Sequence, residues 1–166
     1  MIKKNETIKF NLKTLIVTQF LLFSISMAPI GLADDAPPIK FPLTIYVGNK
    51  TLELNGSGVR QVSFFNVDVY AAALYSEHRS GDAQVLLSSG DVKQIDMKFL
   101  HAVRGKDVNE GDSMSYVFYP DRVEVIVKRK PKPPIAAPGF SQLLLSTWLG
   151  DHPPTEALKK GLLGKK

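Results

Sequence analysis

The residue best placed to do chemistry is Arg60, which follows the run Gly56-Ser57-Gly58-Val59. An arginine held in a fixed geometry presents a planar fork of N–H donors that matches a carboxylate or an enolate. Two glycines just ahead of it imply unusual backbone angles or close contact with another element. The plainer alternative is a surface or ion-paired arginine at a strand start, worth little to stability or function. A second segment looks specified in the same detail: Val69-Tyr70-Ala71-Ala72-Ala73-Leu74-Tyr75. Alanine packs poorly on a pleated surface, so three in a row mark either close approach by another element or an opening for a ligand. Close approach is the simpler reading.

Other chemistry finds little support. His78, His101 and His152 are scattered, with no HExxH and no His pair four residues apart, so no metal site is expected. There is no GxSxG and no glycine-rich phosphate loop after a strand, so no cofactor is expected either. The chain has no cysteine, which removes disulfides, a thiol nucleophile and zinc–thiolate coordination. Acidic residues mostly alternate outward with lysines, as on solvated faces. Asn49-Lys50-Thr51 and Asn55-Gly56-Ser57 match glycosylation sequons, a pattern short enough to arise by chance.

The elements that must position Arg60 read mainly as strands. Leu43, Ile45 and Val47 alternate with Thr44 and Tyr46; Gly48-Asn49-Lys50 is a turn, and Leu52 and Leu54 continue on one face. Gly56-Ser57-Gly58 is expected to break that strand. Ser63 to Tyr75 is a long strand. Ser80 or Asp82 can cap a short helix through Ser89, closed by Gly90. Lys93 to Leu100 points Ile95, Met97 and Phe99 inward. Ser113–Tyr119 and Arg122–Lys128 form a hairpin about Pro120-Asp121. The basic, proline-rich stretch Lys128 to Pro138 reads as a solvated loop or sheet edge, with contact to an acidic partner as the alternative. Phe140 to Leu149 is a helix with Phe140, Leu144 and Trp148 spaced by four. A second helix opens near Pro153 or Pro154, pairs Leu158 with Leu162 and stops at Gly164. Strands followed by helices give an α+β domain, with helices on one face of an antiparallel sheet.

The first 33 residues read differently from the rest. Lys3, Lys4, Lys9 and Lys13 precede a mostly apolar, uncharged run, Leu15 to Met27, and then Pro29 and Gly31-Leu32-Ala33. That order is a secretory signal peptide, with Gly31 and Ala33 fitting the signal peptidase pockets. The run is short for a membrane span of about 20 residues, so cleavage is expected over an uncleaved anchor. The product is expected to be exported, most simply to a periplasm, with no stable membrane anchor. The leader holds four Lys against Glu6, so of 21 basic and 16 acidic residues the mature chain keeps 17 and 15, a net of +2. The high overall pI therefore belongs largely to the leader and gives no reason to expect a nucleic-acid partner. Residues 34–166 suffice for one domain with one core.

Taken together, Leu54 through Arg60, the Tyr70-to-Tyr75 strand, the Gly111-Asp112 hairpin start, and Phe140 through Leu149-Gly150 to Leu162-Leu163-Gly164 resemble the chalcone isomerase-like family, in its exported bacterial branch. The resemblance spans most of residues 43–164 in the family's order. It implies an open-faced β-sandwich with helices over a large antiparallel sheet. It also implies that Arg60, the arginine of the Gly-Val-Arg motif, faces an anionic ligand in an apolar cleft. In the plant enzymes of this fold the ligand is a chalcone; in related plant proteins it is a fatty acid. Two departures count against isomerase activity. The position of a catalytic threonine falls at Tyr70, whose hydroxyl has a different reach. Only His101 to Glu110 joins two strands where the family carries a helical segment lining the cleft, and that link is too short for a helical pair. The resemblance thus implies a non-catalytic binder of a small apolar acid, with Arg60 on the anion and Tyr70 assisting. The alternatives are an intramolecular lyase acting on a phenolic substrate, and a protein–protein module whose shortened link leaves sheet surface uncovered.

Overall fold

Alternating and small-residue runs build a meander, each strand pairing antiparallel with the next. The computed structural model describes residues 39–62, 67–102 and 108–165. The expected leader, the start of the long run at 63–66 and the middle of the short link at 103–107 lie outside the described residues. The strands are β1 (Thr44–Val47), β2 (Lys50–Val62), β3 (Val67–Ser76), β4 (Lys93–Phe99), β5 (Ser113–Phe118), β6 (Val123–Val127) and β7 (Lys130–Pro131), in that order across one seven-stranded sheet. The helices are α1 (Ala83–Ser88), α2 (Phe140–Leu149) and α3 (Glu156–Leu162). This is the expected α+β architecture. Among the described residues no helix is long and apolar enough to cross a membrane.

Both faces of the sheet carry apolar side chains, unequally. On the main face Tyr70, Ala72, Leu74, Ile95, Met97 and Phe118 meet Leu86 of α1, Leu145, Trp148 and Leu149 of α2, and Leu158 and Leu162 of α3. A smaller cluster of Leu52, Ala73, Tyr75, Val92 and Val117 occupies the other face. There the Tyr75 phenol donates to the Pro42 carbonyl at 3.1 Å. Burial pushes that phenol well above the ordinary tyrosine range.

Gly56-Ser57-Gly58 does not break β2. The strand runs on through all three residues, and the irregularity lies one residue earlier. A register shift between Leu54 and Gly56 leaves Asn55 as the extra residue of a bulge. Such a shift reverses which face successive side chains take. Leu52 and Leu54 therefore point to the minor face, while Gly56 and Gly58 lie under α3. The Asn55 side chain holds this geometry. Its Nδ2 donates to Leu162 O at 2.8 Å and Ser80 O at 3.1 Å, and its Oδ1 accepts from Ser80 N at 2.7 Å. With its amide buried and engaged at both ends, Asn55 is no glycosylation acceptor. Asn55→Ala leaves three backbone groups without partners. At about 1 kcal/mol or more each, a loss of roughly 3 kcal/mol is expected in a urea-unfolding measurement. A loss under about 0.5 kcal/mol would show that water replaces the amide at no cost.

Two local details decide between alternatives the sequence left open, and a third differs from its expectation. Asp82, not Ser80, caps α1, accepting from Gln84 N. The basic stretch contains the edge strand β7, entered through a turn with Lys128 and Arg129 at positive φ. Helix α3 starts at Glu156, capped by the Thr155 hydroxyl, which accepts from Leu158 N. Pro153 and Pro154 precede it, because a short linker must first carry the chain from α2 to the crossing over β2.

One ion pair ties the β1–β2 turn to the start of β4. Glu77 accepts from Lys50 Nζ at 2.6 Å and from Val92 N at 2.8 Å. Both bonds, the lysine's first, hold its carboxyl below the usual glutamate range. A folded-state value below the unfolded one adds stability that is present above the unfolded value and lost as pH falls through the folded one. Between about pH 5 and pH 3 the wild type should lose more thermal stability than Glu77→Gln. Equal slopes would mean the pair is not coupled to folding.

Candidate functional site

Arg60 reaches the site because β2 keeps its register from Gly56 to Arg60, between the bulge at Asn55 and a second register shift at Arg60/Gln61. It sits directly across from Tyr70 in the β2–β3 register, and its guanidinium carbon lies 5.9 Å from the Tyr70 ring centroid. The two residues singled out in the sequence are thus brought together. Tyr70 is buried, edge-on to Phe99 with centroids 6.0 Å apart. From α2, Trp148 leans over the same part of the sheet and packs against Tyr116, with centroids 5.3 Å apart. Phe99 and Tyr116 thus give the pair an aromatic surround.

The polar groups here share one property. Arg60 Nε and Trp148 Nε1 are both buried and neither makes a well-formed hydrogen bond, although the indole lies close enough to the Tyr70 hydroxyl to lower its pKa. Buried donors without acceptors are rare and costly, at roughly 1–3 kcal/mol each. Burial raises the Tyr70 phenol above its ordinary range, while the nearby Trp148 indole and Arg60 charge pull the other way. Burial likewise raises Tyr116. Both phenols therefore remain protonated at neutral pH and able to donate. An arginine N–H, an indole N–H and a phenol O–H make a set suited to holding an acceptor-only anion. They are poorly suited to shuttling protons. Among the described residues no cluster of His, Asp or Glu could hold a metal.

Trp148 is the member that sequence reasoning passed over. Its spacing of four from Leu144 marks it as core, and it is core. The available signal was its type: it is the chain's only tryptophan, and its N–H must find an acceptor when buried. The glycines, conversely, owe their place to packing. A Cβ on Gly56 would lie 2.2 Å from Gly161 O, and one on Gly58 would lie 3.3 Å from Leu158 O. Gly58 pairs with Ala72 in the register, so Ala72 is the other half of the bed on which α3 lies, while Ala73 faces the smaller cluster on the other side of the sheet. Close approach, not a ligand opening, explains the glycines and Ala72.

The short link also has a structural consequence. Phe99 N donates to Asp112 O at 2.9 Å and Gly111 N to Phe99 O at 2.8 Å, so β4 and β5 close directly as a hairpin. No protein of curated function matches the chain. Among solved structures, a fatty-acid binding protein of Arabidopsis thaliana superposes with a TM-score of 0.60 at 13% identity, covering 75% of this chain and 91% of the plant protein. That likeness is one of fold. In sequence, residues 33–107 and 98–164 match the chalcone isomerase-like family, two segments that overlap at 98–107, around the short link. The fold and that match over most of the chain agree: this protein belongs to the chalcone isomerase-like family.

Proposed function

We propose that this domain is a non-catalytic binding protein for a small apolar acid such as a fatty acid, and that it works after export, in a periplasm. Arg60 holds the carboxylate, the Trp148 indole N–H donates a further bond, and Tyr70 assists. The observation that carries this reading is the pair of buried donors, Arg60 Nε and Trp148 Nε1, left without well-formed hydrogen bonds beside the rings of Phe99 and Tyr116. A carboxylate accepts from both while its chain lies against the aromatic side chains. The fatty-acid binding described for the plant protein of the same fold agrees with that ligand class. The donor-only character of the site, and Tyr70 where the enzymes carry threonine, speak against a lyase.

Native mass spectrometry of the protein purified from its own host tests this directly. A stoichiometric fatty acid or other apolar acid, extractable with solvent and absent from Arg60→Met, is the expected result. A clean apo mass that persists after incubation with palmitate would sink the binding reading.

A further inference from the structure

The cavity defined between the helices lies away from Arg60, at the opposite end of the helix-covered face. Tyr70 pairs with Phe99, while Lys93 pairs with Ser76 at the far end of the same two strands. At about 3.3 Å per residue that places the two backbones roughly 20 Å apart. The cavity measures about 190 Å³ and is lined by Ser89, Lys93, Phe118, Tyr119, Gly139 and Leu145, among others. That is the space of roughly six waters.

Lys93 is the unusual group there. It is 3% exposed, as buried as the leucines around it. Its ammonium donates to Ser89 O and Asp91 O, both at 3.0 Å, leaving one of an ammonium's three donors over. Those carbonyls satisfy hydrogen bonds but supply no counter-charge. Asp91 also lines the cavity, but its carboxylate pairs with His78 at 3.2 Å, and that of Glu77 pairs with Lys50. Among the described residues no carboxylate lies within ion-pair distance of Lys93 Nζ. A buried cation without a contacting anion is costly to keep, and burial accordingly lowers the Lys93 pKa, with Asp91 and Glu77 only partly opposing. Two further features face the same space. Ser89 Oγ is buried and has no partner. The first turn of α2 has glycine at its cap position, with no side-chain cap, so its positive end is unmet.

We infer that this cavity is a second anion site, taking the carboxylate of a small acid of a few carbons. Lys93 is its counter-ion, the Ser89 hydroxyl donates to it, and Phe118 and Leu145 cover its apolar part. The site is independent of Arg60, and either can fail without the other.

The test is a two-dimensional amide NMR titration of the purified protein with hexanoate, using hexanol as the uncharged control. Saturable shifts at Ser89, Gly90 and Gln142, absent with hexanol, are expected. Lys93→Met should weaken this response at least ten-fold. Ser89→Ala leaves the Lys93 bonds to backbone in place and should weaken it several-fold, so it decides the matter if the lysine variant does not fold. Equal response to hexanol, shifts confined to Arg60, Tyr70 and Trp148, or no saturable shift at all would overturn the assignment.

Discussion

Gly56→Ala is expected to destabilise the domain by about 3 kcal/mol or more, at or beyond the usual limit for overpacking. Its added Cβ would meet Gly161 O at 2.2 Å, Gly164 N at 2.5 Å and Leu162 O at 2.8 Å. All three are backbone atoms, so no side chain can rotate away. Helix α3 must lift, and with it Leu158 and Leu162, both fully buried. The contact is reciprocal, since a Cβ on Gly161 would lie 2.5 Å from Ser57 O. Two controls give the comparison scale. Gly58→Ala meets its nearest neighbours at 3.3 Å and should cost less; Gly90→Ala has nothing within 4 Å and should be close to neutral. Urea-unfolding midpoints of the three variants check the order. If Gly56→Ala matches Gly90→Ala, the close crossing of α3 over β2 is wrong.

Arg60→Met is expected to weaken palmitate binding by roughly 30- to 150-fold while barely changing the melting temperature. A charge-assisted hydrogen bond in a largely desolvated site is worth about 2–3 kcal/mol, and each 1.4 kcal/mol is ten-fold. The stability cost is smaller because Arg60 is only partly buried and its described partner is the Tyr70 ring, a contact worth about 0.5–1 kcal/mol. Methionine keeps much of the apolar stem. Arg60→Lys should recover only part of the loss, because an ammonium lacks the fork. Trp148→Phe should remove one donor while keeping most of the packing, for a several-fold loss. Calorimetric titration with palmitate separates these cases. An unchanged Kd for Arg60→Met would remove the anion-holding role and leave the orphaned Nε of Arg60 without a ligand-based explanation.

The contrast between Arg60 and Gly56 shows how the motif divides. In the sequence the glycines and the arginine read as one unit, and a functional loop was a natural interpretation. In the fold the glycines serve α3, and Arg60 serves the site. What joins them is the bulge at Asn55, which turns both toward the helices.

Much was legible along the chain. The alternation of Ile95, Met97 and Phe99, the hairpin about Pro120-Asp121 and the four-residue spacing through Trp148 each report a local periodicity, and each element formed where that period lay. Local periods survive because they arise from backbone geometry shared by neighbouring residues. The small-residue runs announced close packing without naming the partner. Only the tertiary structure decided three things: that the bulge falls at Asn55, that α3 is the element which crosses there, and that Trp148 brings an unpartnered N–H over the Arg60–Tyr70 pair. Each depends on contacts between residues far apart in sequence, such as Asn55 with Leu162. A bulge leaves no mark on local hydrophobic period until its partner strand fixes the register. The buried Lys93 follows the same rule. Its sequence neighbours describe an ordinary strand start, and its isolation from any contacting carboxylate among the described residues exists only once α1, α2 and β4 have closed around it.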